Sequence, residues 1–221
     1  AAVDAARPAV NVAALVGHST LRVAAMGDPY RAATAAEQAR MGELLREGMA
    51  AGATGLSSGV FYPPGAAADI DELALLAGIA GEMGGVYTTH IRQEADQVLD
   101  SLDEAFITAR RGRVPLVISH HKCAGPQNWG RSVQTIAHID AARRDQAIGL
   151  DCYPYIASST VLRGEMVDGI IDILITFSVP HPEMAARTLA DIAREWQCTQ
   201  REACERLQPG GMIHDRLASH A

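Results

Sequence analysis

Hydrophobic and polar positions alternate along this chain with two different periods. Short apolar runs, which are typical of buried strands, are separated by longer segments in which apolar residues recur with the helical period. The predicted strands cover residues 10–18, 54–60, 85–91, 114–120 and 148–155. The predicted helices cover residues 34–53, 69–84, 95–112 and 131–146, and the chain from about residue 158 looks rich in loops before two helices at 180–196 and 199–207.

This alternation of strands and helices predicts an α/β fold class. Apolar strands that alternate with helices form a parallel sheet with helices on its faces. Both an open doubly wound sheet and a (β/α)8 barrel fit that pattern. A doubly wound nucleotide-binding sheet should carry a glycine-rich loop after its first strand, and "GHSTLR" at residues 17–22 is not such a loop. Reactive side chains follow several strands instead, which is where a barrel builds its active site.

The number of strand–helix units predicts an incomplete barrel. About five units are present in the sequence, whereas a (β/α)8 barrel has eight. The chain also begins with Ala rather than Met. We therefore expect residues 1–221 to form a single partial catalytic barrel domain that lacks the N-terminal and C-terminal parts of the complete one.

Composition and charge limit the function classes. A net charge of −7 gives no electrostatic reason to expect nucleic acid or an anionic membrane as a partner. The sequence contains no apolar run of about 18 residues, so it predicts no transmembrane helix, and it shows no signal peptide. The cysteines lack CxxC spacing, which favours free thiols and a cytoplasmic location; they are Cys123, Cys152, Cys198 and Cys204.

Two histidines, His90 and His120, end neighbouring predicted strands at the same level of the sheet. A single histidine at such a place is more often hydrogen-bonded or solvated than a ligand. Neutral imidazoles from adjacent strand ends can share one metal ion, and zinc favours such nitrogen ligands. On the residues alone, both a metal site and two ordinary polar histidines remain open.

Other polar residues near these strand ends have both functional and structural interpretations. Lys122 could anchor a substrate carboxylate or be a solvated lysine. Arg92 and Glu94 could pair with each other or orient a ligand. His121 should point to the other side of its strand, in a structural role, and His18 looks like part of a turn.

Five motifs carry a resemblance to a known family. They are "GLSSGVFYPPG", "YTTHIRQEAD", "VISHHKCAGPQNWG", "DCYPYIASST" and "VPHPEMAARTLADIAREW", in this order. Together they resemble the zinc-dependent D-aminoacylases, which are N-acyl-D-amino-acid deacylases of the amidohydrolase superfamily. The similarity runs from about residue 11 to residue 209, and motifs of this length are highly specific.

The resemblance implies a fold, a reaction and a cofactor. The fold is a TIM-like barrel of the metal-dependent hydrolase type, with a small β-domain built from the two chain ends. The reaction is hydrolysis of an N-acyl-D-amino acid, a small-molecule substrate, to a carboxylate and a D-amino acid by a zinc-activated water. The residues that match zinc ligands are His90 and His120. Those that match substrate-binding positions are Lys122, Tyr153 and Ser159, for the substrate carboxylate, and Phe61 and Tyr62, for the pocket wall.

The sequence also departs from the family pattern. It contains no His-x-His pair, none of its cysteines matches the family's metal-binding cysteine, and no late strand carries the family's catalytic aspartate. We therefore predict no catalytic general base in this chain, and we expect the chain alone to be inactive and to bind Zn2+ weakly. Selectivity for N-acyl-D-glutamate or N-acyl-D-aspartate is an alternative, as is a non-catalytic truncated protein. The sequence does not indicate an oligomeric state.

Overall fold

The computed structural model describes residues 5–214. Asp215 and His220, both in the C-terminal tail, lie outside the described residues. The chain divides into two compact units. The first unit consists of Ala1–His121 and Val133–Cys152, and the second of Lys122–Ser132 and Tyr153–Ala221. This division does not test the prediction of one partial catalytic domain, which stays a prediction.

The first unit contains a five-stranded, entirely parallel sheet with the strands in sequence order. A helix follows each of the first four strands along the chain, so the predicted α/β class is confirmed. The strands are β1 (Val16–Gly17), β2 (Gly55–Gly59), β3 (Val86–His90), β4 (Leu116–Ile118) and β5 (Ile148–Leu150). The helices are α1 (His18–Ala25), α2 (Ala35–Ala50), α3 (Ile70–Glu82), α4 (Val98–Gly112) and α5 (Ser132–Ala142).

The sequence predicts the helices of this unit more accurately than its strands. Helices α2 and α3 begin after Thr34 and Asp69, whose side chains accept hydrogen bonds from the first helical turn, as expected for N-cap residues. The strand predicted at residues 10–18 pairs only at Val16 and Gly17. The apolar side chains before it are exposed, so they lack the burial that makes such a run a strand.

The register of the sheet brings the strand ends to one edge. Thr89 of β3 is paired with Ile118 of β4, which is in turn paired with Leu150 of β5. The residues that follow these positions therefore leave the sheet side by side. Apolar side chains between the sheet and its helices hold this arrangement, and they include Leu45, Leu56, Leu76, Tyr87, Leu102, Leu116, Ile118 and Ile139.

The second unit contains an antiparallel sheet that the sequence did not predict. Its strands are β6 (Ser158–Val161), β7 (Ile173–Ser178) and β8 (Gly210–His214), in the order β6-β8-β7. The helices α6 (Leu189–Glu195) and α7 (Gln200–Leu207) confirm the helical part of the prediction, although residues 182–184 form only a short 3-10 turn. The expectation of loops was wrong for the strands because β6 is rich in Ser and Thr and pairs with a segment far along the chain.

None of the helices in the described part of the chain is both long and apolar enough to cross a membrane.

Candidate metal centre

The imidazoles of His90 and His120 lie together at the edge of the parallel sheet. His90 is the last residue of β3, and His120 follows β4 by two positions. Their ring centroids are 4.4 Å apart, with the ring planes nearly perpendicular. The parallel pairing of the two strands thus produces the closeness that the spacing in the sequence predicted.

The Glu94 carboxylate lies beside both of these histidines. The sequence analysis did not nominate Glu94 as a metal ligand. Its Oε1 lies 3.5 Å from His90 Nε2 and 3.3 Å from His120 Nδ1. The three candidate metal-ligand atoms, one from each of these side chains, lie within 4.8 Å of one another. The side chains are only 14%, 11% and 30% exposed for His90, Glu94 and His120 respectively. The sequence signal that could have identified Glu94 is its position, four residues after His90 in the loop that follows β3.

Neighbouring residues fix the loop that carries Glu94. The Arg92 guanidinium donates two hydrogen bonds of 2.7 Å to the Glu104 carboxylate on α4. It also donates to the carbonyl oxygens of Ala66 and Ala68. The hydrogen bonds to Glu104 raise the pKa of Arg92 above its ordinary value. Arg92 therefore anchors this loop to α4 and does not pair with Glu94.

The backbone of His120 adopts a left-handed conformation, with φ of 72°. Residues other than glycine rarely occupy this region, and doing so costs free energy. Asp151, directly after β5, supports the conformation because its Oδ1 accepts the backbone N–H of His120 at 2.6 Å. The Ser119 hydroxyl donates to the same carboxylate at 3.2 Å. Two adjacent strand ends therefore cooperate to place the His120 imidazole.

Phe61 and Tyr62, predicted as pocket-lining residues, pack around the His90 ring. The Phe61 ring is stacked on the imidazole with a centroid distance of 5.2 Å. The Tyr62 ring meets it edge to face at the same distance. These aromatic contacts limit the orientations available to His90 and shield one side of it from water.

The three residues predicted to bind the substrate carboxylate all belong to the second unit. The Lys122 Nζ lies 5.8 Å from the centre of the Tyr153 ring, in a cation–π contact. Tyr153 was predicted to end a strand, but β5 already ends at Leu150. Ser159 lies on β6, opposite Ile213 of β8.

Two further histidines serve structural purposes in the first unit. The His121 imidazole lies 2.7 Å from the Thr135 hydroxyl of α5, which agrees with the structural role expected for it. His18 was expected in a turn, but it begins α1 and is fully buried. Its Nε2 lies 2.7 Å from the carboxylate of Glu72, which is on α3 and 54 residues later in the sequence. This long-range contact, rather than a local turn, accounts for the position of His18.

The donor set at the sheet edge suits zinc. Two imidazole nitrogens and one carboxylate oxygen are ligands that catalytic zinc sites use, and such sites keep a further position for water. Calcium and magnesium favour sites made of oxygen ligands. The cluster of His90, Glu94 and His120 therefore fits a zinc-like divalent ion better than a hard cation.

Curated relatives resemble this chain over almost all of its length. An N-acyl-D-glutamate deacylase from Alcaligenes xylosoxydans xylosoxydans is 47% identical over 214 residues, which is 96% of this chain and 44% of that protein. A D-aminoacylase from the same organism is 43% identical over 213 residues, again 96% of this chain and 44% of that protein. No protein-family model matches the chain.

Solved structures give the same result. An N-acyl-D-glutamate deacylase from Bordetella bronchiseptica, in complex with zinc and a phosphonate inhibitor, has a TM-score of 0.93 and 49% identity, covering 98% of this chain and 46% of that one. A D-aminoacylase described as defining a novel subset of amidohydrolases has a TM-score of 0.91 and 44% identity, covering 95% and 44%. The family resemblance is thus confirmed: the chain is a relative of the D-aminoacylases and N-acyl-D-amino-acid deacylases, and it spans under half of their length.

Proposed function

We propose that the protein containing this chain hydrolyses N-acyl-D-amino acids to a carboxylate and a free D-amino acid. We further propose that it uses a zinc ion held by His90 and His120. The observation that carries the proposal is the pair of imidazoles at adjacent strand ends, with ring centroids 4.4 Å apart. The identity of 43–47% to curated deacylases of such substrates supports the choice of reaction.

The chain's own contribution is to hold ligand atoms in fixed places. One ring nitrogen of each of His90 and His120 is a candidate ligand atom. The Asp151 carboxylate fixes the turn that carries His120, and the Phe61 ring limits the rotation of the His90 imidazole. Bound zinc supplies Lewis acidity, which polarises an amide carbonyl and lowers the pKa of a coordinated water.

We also propose that Lys122, Tyr153 and Ser159 bind the substrate carboxylate, and that Phe61 and Tyr62 form part of the pocket wall. An ammonium group and two hydroxyls are suitable donors to a carboxylate. The contact between Lys122 and the Tyr153 ring supports this, because it keeps two of the three donors together. Fixing the carboxylate and the scissile carbonyl at the same time would favour one hand of the substrate.

An acidic D-amino acid is a specific second candidate for the substrate. A curated N-acyl-D-glutamate deacylase is 47% identical to this chain, and an N-acyl-D-aspartate deacylase is 44% identical. Such a substrate needs a cation for its side chain. Arg92 is a poor choice because Glu104 and two backbone carbonyls already engage its guanidinium. Because Lys122 is already assigned to the α-carboxylate, Arg163, whose Nε lies 3.5 Å from the exposed Glu165 carboxylate, is the candidate for this task.

The test is an assay of the protein encoded by the gene that contains this sequence, loaded with Zn2+. We expect D-amino acid release from N-acetyl-D-methionine, N-acetyl-D-glutamate or N-acetyl-D-aspartate, with little release from the L-enantiomers. The order of kcat/KM among the three substrates decides between the two candidates. Absence of turnover with all three would reject the proposed reaction.

His120→Ala tests the proposed ligand directly. We expect it to lower kcat/KM by at least about a hundredfold and to lower the zinc content, because removing a ligand harms a site more than removing a residue that only orients one. His138→Ala is the matched control, since His138 pairs with Asp103 on the surface of the α4–α5 region. Equal zinc content in the two variants would exclude His120 as a ligand.

A further inference from the structure

We propose that Arg92 is a positioning residue for substrate binding, which holds the loop of residues 60–69 and thereby places Phe61 and Tyr62. This inference rests on the proposed function, in which these two aromatic residues form part of the pocket wall. The loop follows β2 and ends where α3 begins, and Arg92 lies later in the sequence, after β3. All of these residues belong to the first unit.

The Arg92 guanidinium reaches two backbone carbonyl groups of this loop. It donates to the carbonyl oxygen of Ala66 at 2.8 Å and to that of Ala68 at 2.9 Å. The Ala66 N–H in turn donates to the carbonyl oxygen of Tyr62 at 2.9 Å. A single residue, Ala66, therefore connects the guanidinium to the backbone of Tyr62.

The arrangement of these hydrogen bonds requires a guanidinium. Its Nε and Nη2 atoms each donate to the Glu104 carboxylate at 2.7 Å, while Nη1 and Nη2 donate to the loop. A planar guanidinium presents five N–H donors in fixed directions, whereas a lysine ammonium is a single charged centre on a flexible stem. The carboxylate on α4 thus fixes the guanidinium, and the guanidinium fixes the loop.

The same loop packs closely against its surroundings. A Cβ atom at Gly65 would lie 2.8 Å from the carbonyl oxygen of Gly59, so only glycine allows this approach to the end of β2. Val60 and Ala68 of the loop are buried together with Leu73 of α3. Close packing leaves the loop little freedom once its carbonyl oxygens are hydrogen-bonded.

The two aromatic rings carry any shift of the loop into the pocket. The ring centroids of Phe61 and Tyr62 are 4.8 Å apart. Residues of a pocket wall contact the substrate and the transition state alike, so moving them raises KM more than it lowers kcat. A residue that only stabilised the fold would reduce the amount of folded protein and leave KM unchanged.

The experiment compares three variants of the zinc-loaded protein encoded by the gene that contains this sequence. Arg92→Lys retains the positive charge but lacks the fork of donors. Glu104→Gln weakens the anchor on α4 and retains the donors to the loop. Arg111→Ala is the matched control, because Arg111 also lies on α4 and forms an exposed ion pair of 2.6 Å with Asp71 of α3.

The substrate is the best of the three N-acetyl-D-amino acids named above. We expect Arg92→Lys to raise KM at least about fivefold with kcat within about twofold and zinc content unchanged, Glu104→Gln to raise KM less, and Arg111→Ala to leave KM within about twofold. A KM for Arg92→Lys within twofold of the parent would overturn the inference. Loss of zinc together with the rise in KM would also overturn it, because Arg92 would then act on the metal site.

A double-mutant cycle with Tyr62→Ala shows whether the effect passes through the loop. If Arg92 acts by placing Tyr62, Arg92→Lys raises KM much less in the Tyr62→Ala background than in the parent. Additive effects of the two substitutions would overturn the inference, because Arg92 would then influence substrate binding by another route.

Amide hydrogen exchange of residues 60–69 tests the hold on the loop without any activity assay. We expect Arg92→Lys to speed exchange in this segment at least about tenfold and Arg111→Ala to leave it unchanged. Unchanged exchange in Arg92→Lys would overturn the inference. If the parent is active and Arg92→Lys matches it in KM, only the assignment of Arg92 fails. If the parent turns over none of the substrates, the proposed function fails, and the link from the loop to substrate binding fails with it.

Discussion

Glu72 carries its carboxylate almost entirely out of contact with solvent, at 1% exposure. The Arg22 guanidinium donates to both of its oxygens at 2.5 and 2.6 Å. His18 Nε2 lies 2.7 Å from Oε1 and must donate, because an ionised carboxylate only accepts. Burial raises the pKa of Glu72, but the hydrogen bonds from His18 and Arg22 outweigh burial and lower that pKa below its ordinary value.

Replacing Glu72 by Gln should destabilise the chain strongly. The change leaves the Arg22 charge buried without its counter-charge, which costs about 3–5 kcal/mol in comparable cases. Urea denaturation followed by circular dichroism measures the loss in the free energy of unfolding. Glu43→Gln is the control, since Glu43 forms an exposed pair with Arg40 and should matter little.

The lowered pKa of Glu72 also predicts how stability depends on pH. A carboxyl group with a depressed pKa in the folded state stabilises the fold above its unfolded pKa of about 4.3. This contribution is lost as the pH falls through the lower, folded pKa. We expect the free energy of unfolding to fall below about pH 4.3, and to fall less steeply in Glu72→Gln. Parallel pH profiles for the two proteins would contradict this explanation.

At the level of elements, the ends of β4 and β5 together determine the position of His120. Asp151 leaves β5 and binds the backbone N–H of His120, which leaves β4 in a left-handed turn. The Asp151 carbonyl also accepts the backbone N–H of His121 at 2.9 Å. The position of His120 is therefore a property of two paired strands rather than of its own segment.

Asp151→Ala should consequently weaken Zn2+ binding although Asp151 is not among the candidate ligands. We expect roughly a 10–100-fold loss of affinity, as for other residues that orient ligands. Asp151→Asn should retain much of the affinity because its amide oxygen can still accept the His120 N–H. Chelator competition measures both variants. Equal Zn2+ affinities for Asp151→Ala and the parent would show that the turn at His120 keeps its conformation without the Asp151 side chain.

The element scale also explains which predictions succeeded. Helices α2 and α3 were predictable because N-cap residues and apolar periodicity are local signals. Strand β6 was missed because residues 158–161 are mostly Ser and Thr and gain strand character only from pairing with β8. Strand β7 was also missed, although its sequence ILITFS is a local apolar signal. The apolar run before Val16 was taken for strand, yet its side chains, such as Val10 and Val12, are exposed.

At the level of the whole molecule, the chain aligns with 44% of the length of its curated relatives. The described residues contain five parallel strands, whereas a (β/α)8 barrel has eight. We predict that the 221-residue chain alone shows no turnover of N-acetyl-D-methionine and binds Zn2+ weakly. Its sequence offers neither the His-x-His pair nor the late aspartate that the family resemblance calls for.

The measurement compares the isolated chain with a protein that includes the coding sequence on both sides of it. Flanking sequence in the same reading frame that encodes a His-x-His pair, a metal-binding cysteine and a late aspartate should bring activity. Robust turnover by the isolated chain would contradict the prediction. Stop codons or unrelated sequence on either side would favour the non-catalytic alternative.

The sequence by itself determined the α/β class, the helices α2 to α5 of the first unit, the family resemblance and the nomination of His90 and His120. These follow from local periodicity, from capping residues and from long motifs, all of which are written in consecutive residues. Only the tertiary structure decided that Glu94 faces both imidazoles, that Asp151 supports His120, and that Glu72 is buried against Arg22 and His18. The physical reason is that these contacts depend on strand register and helix packing, which bring together side chains whose separation along the chain gives no sign of their meeting.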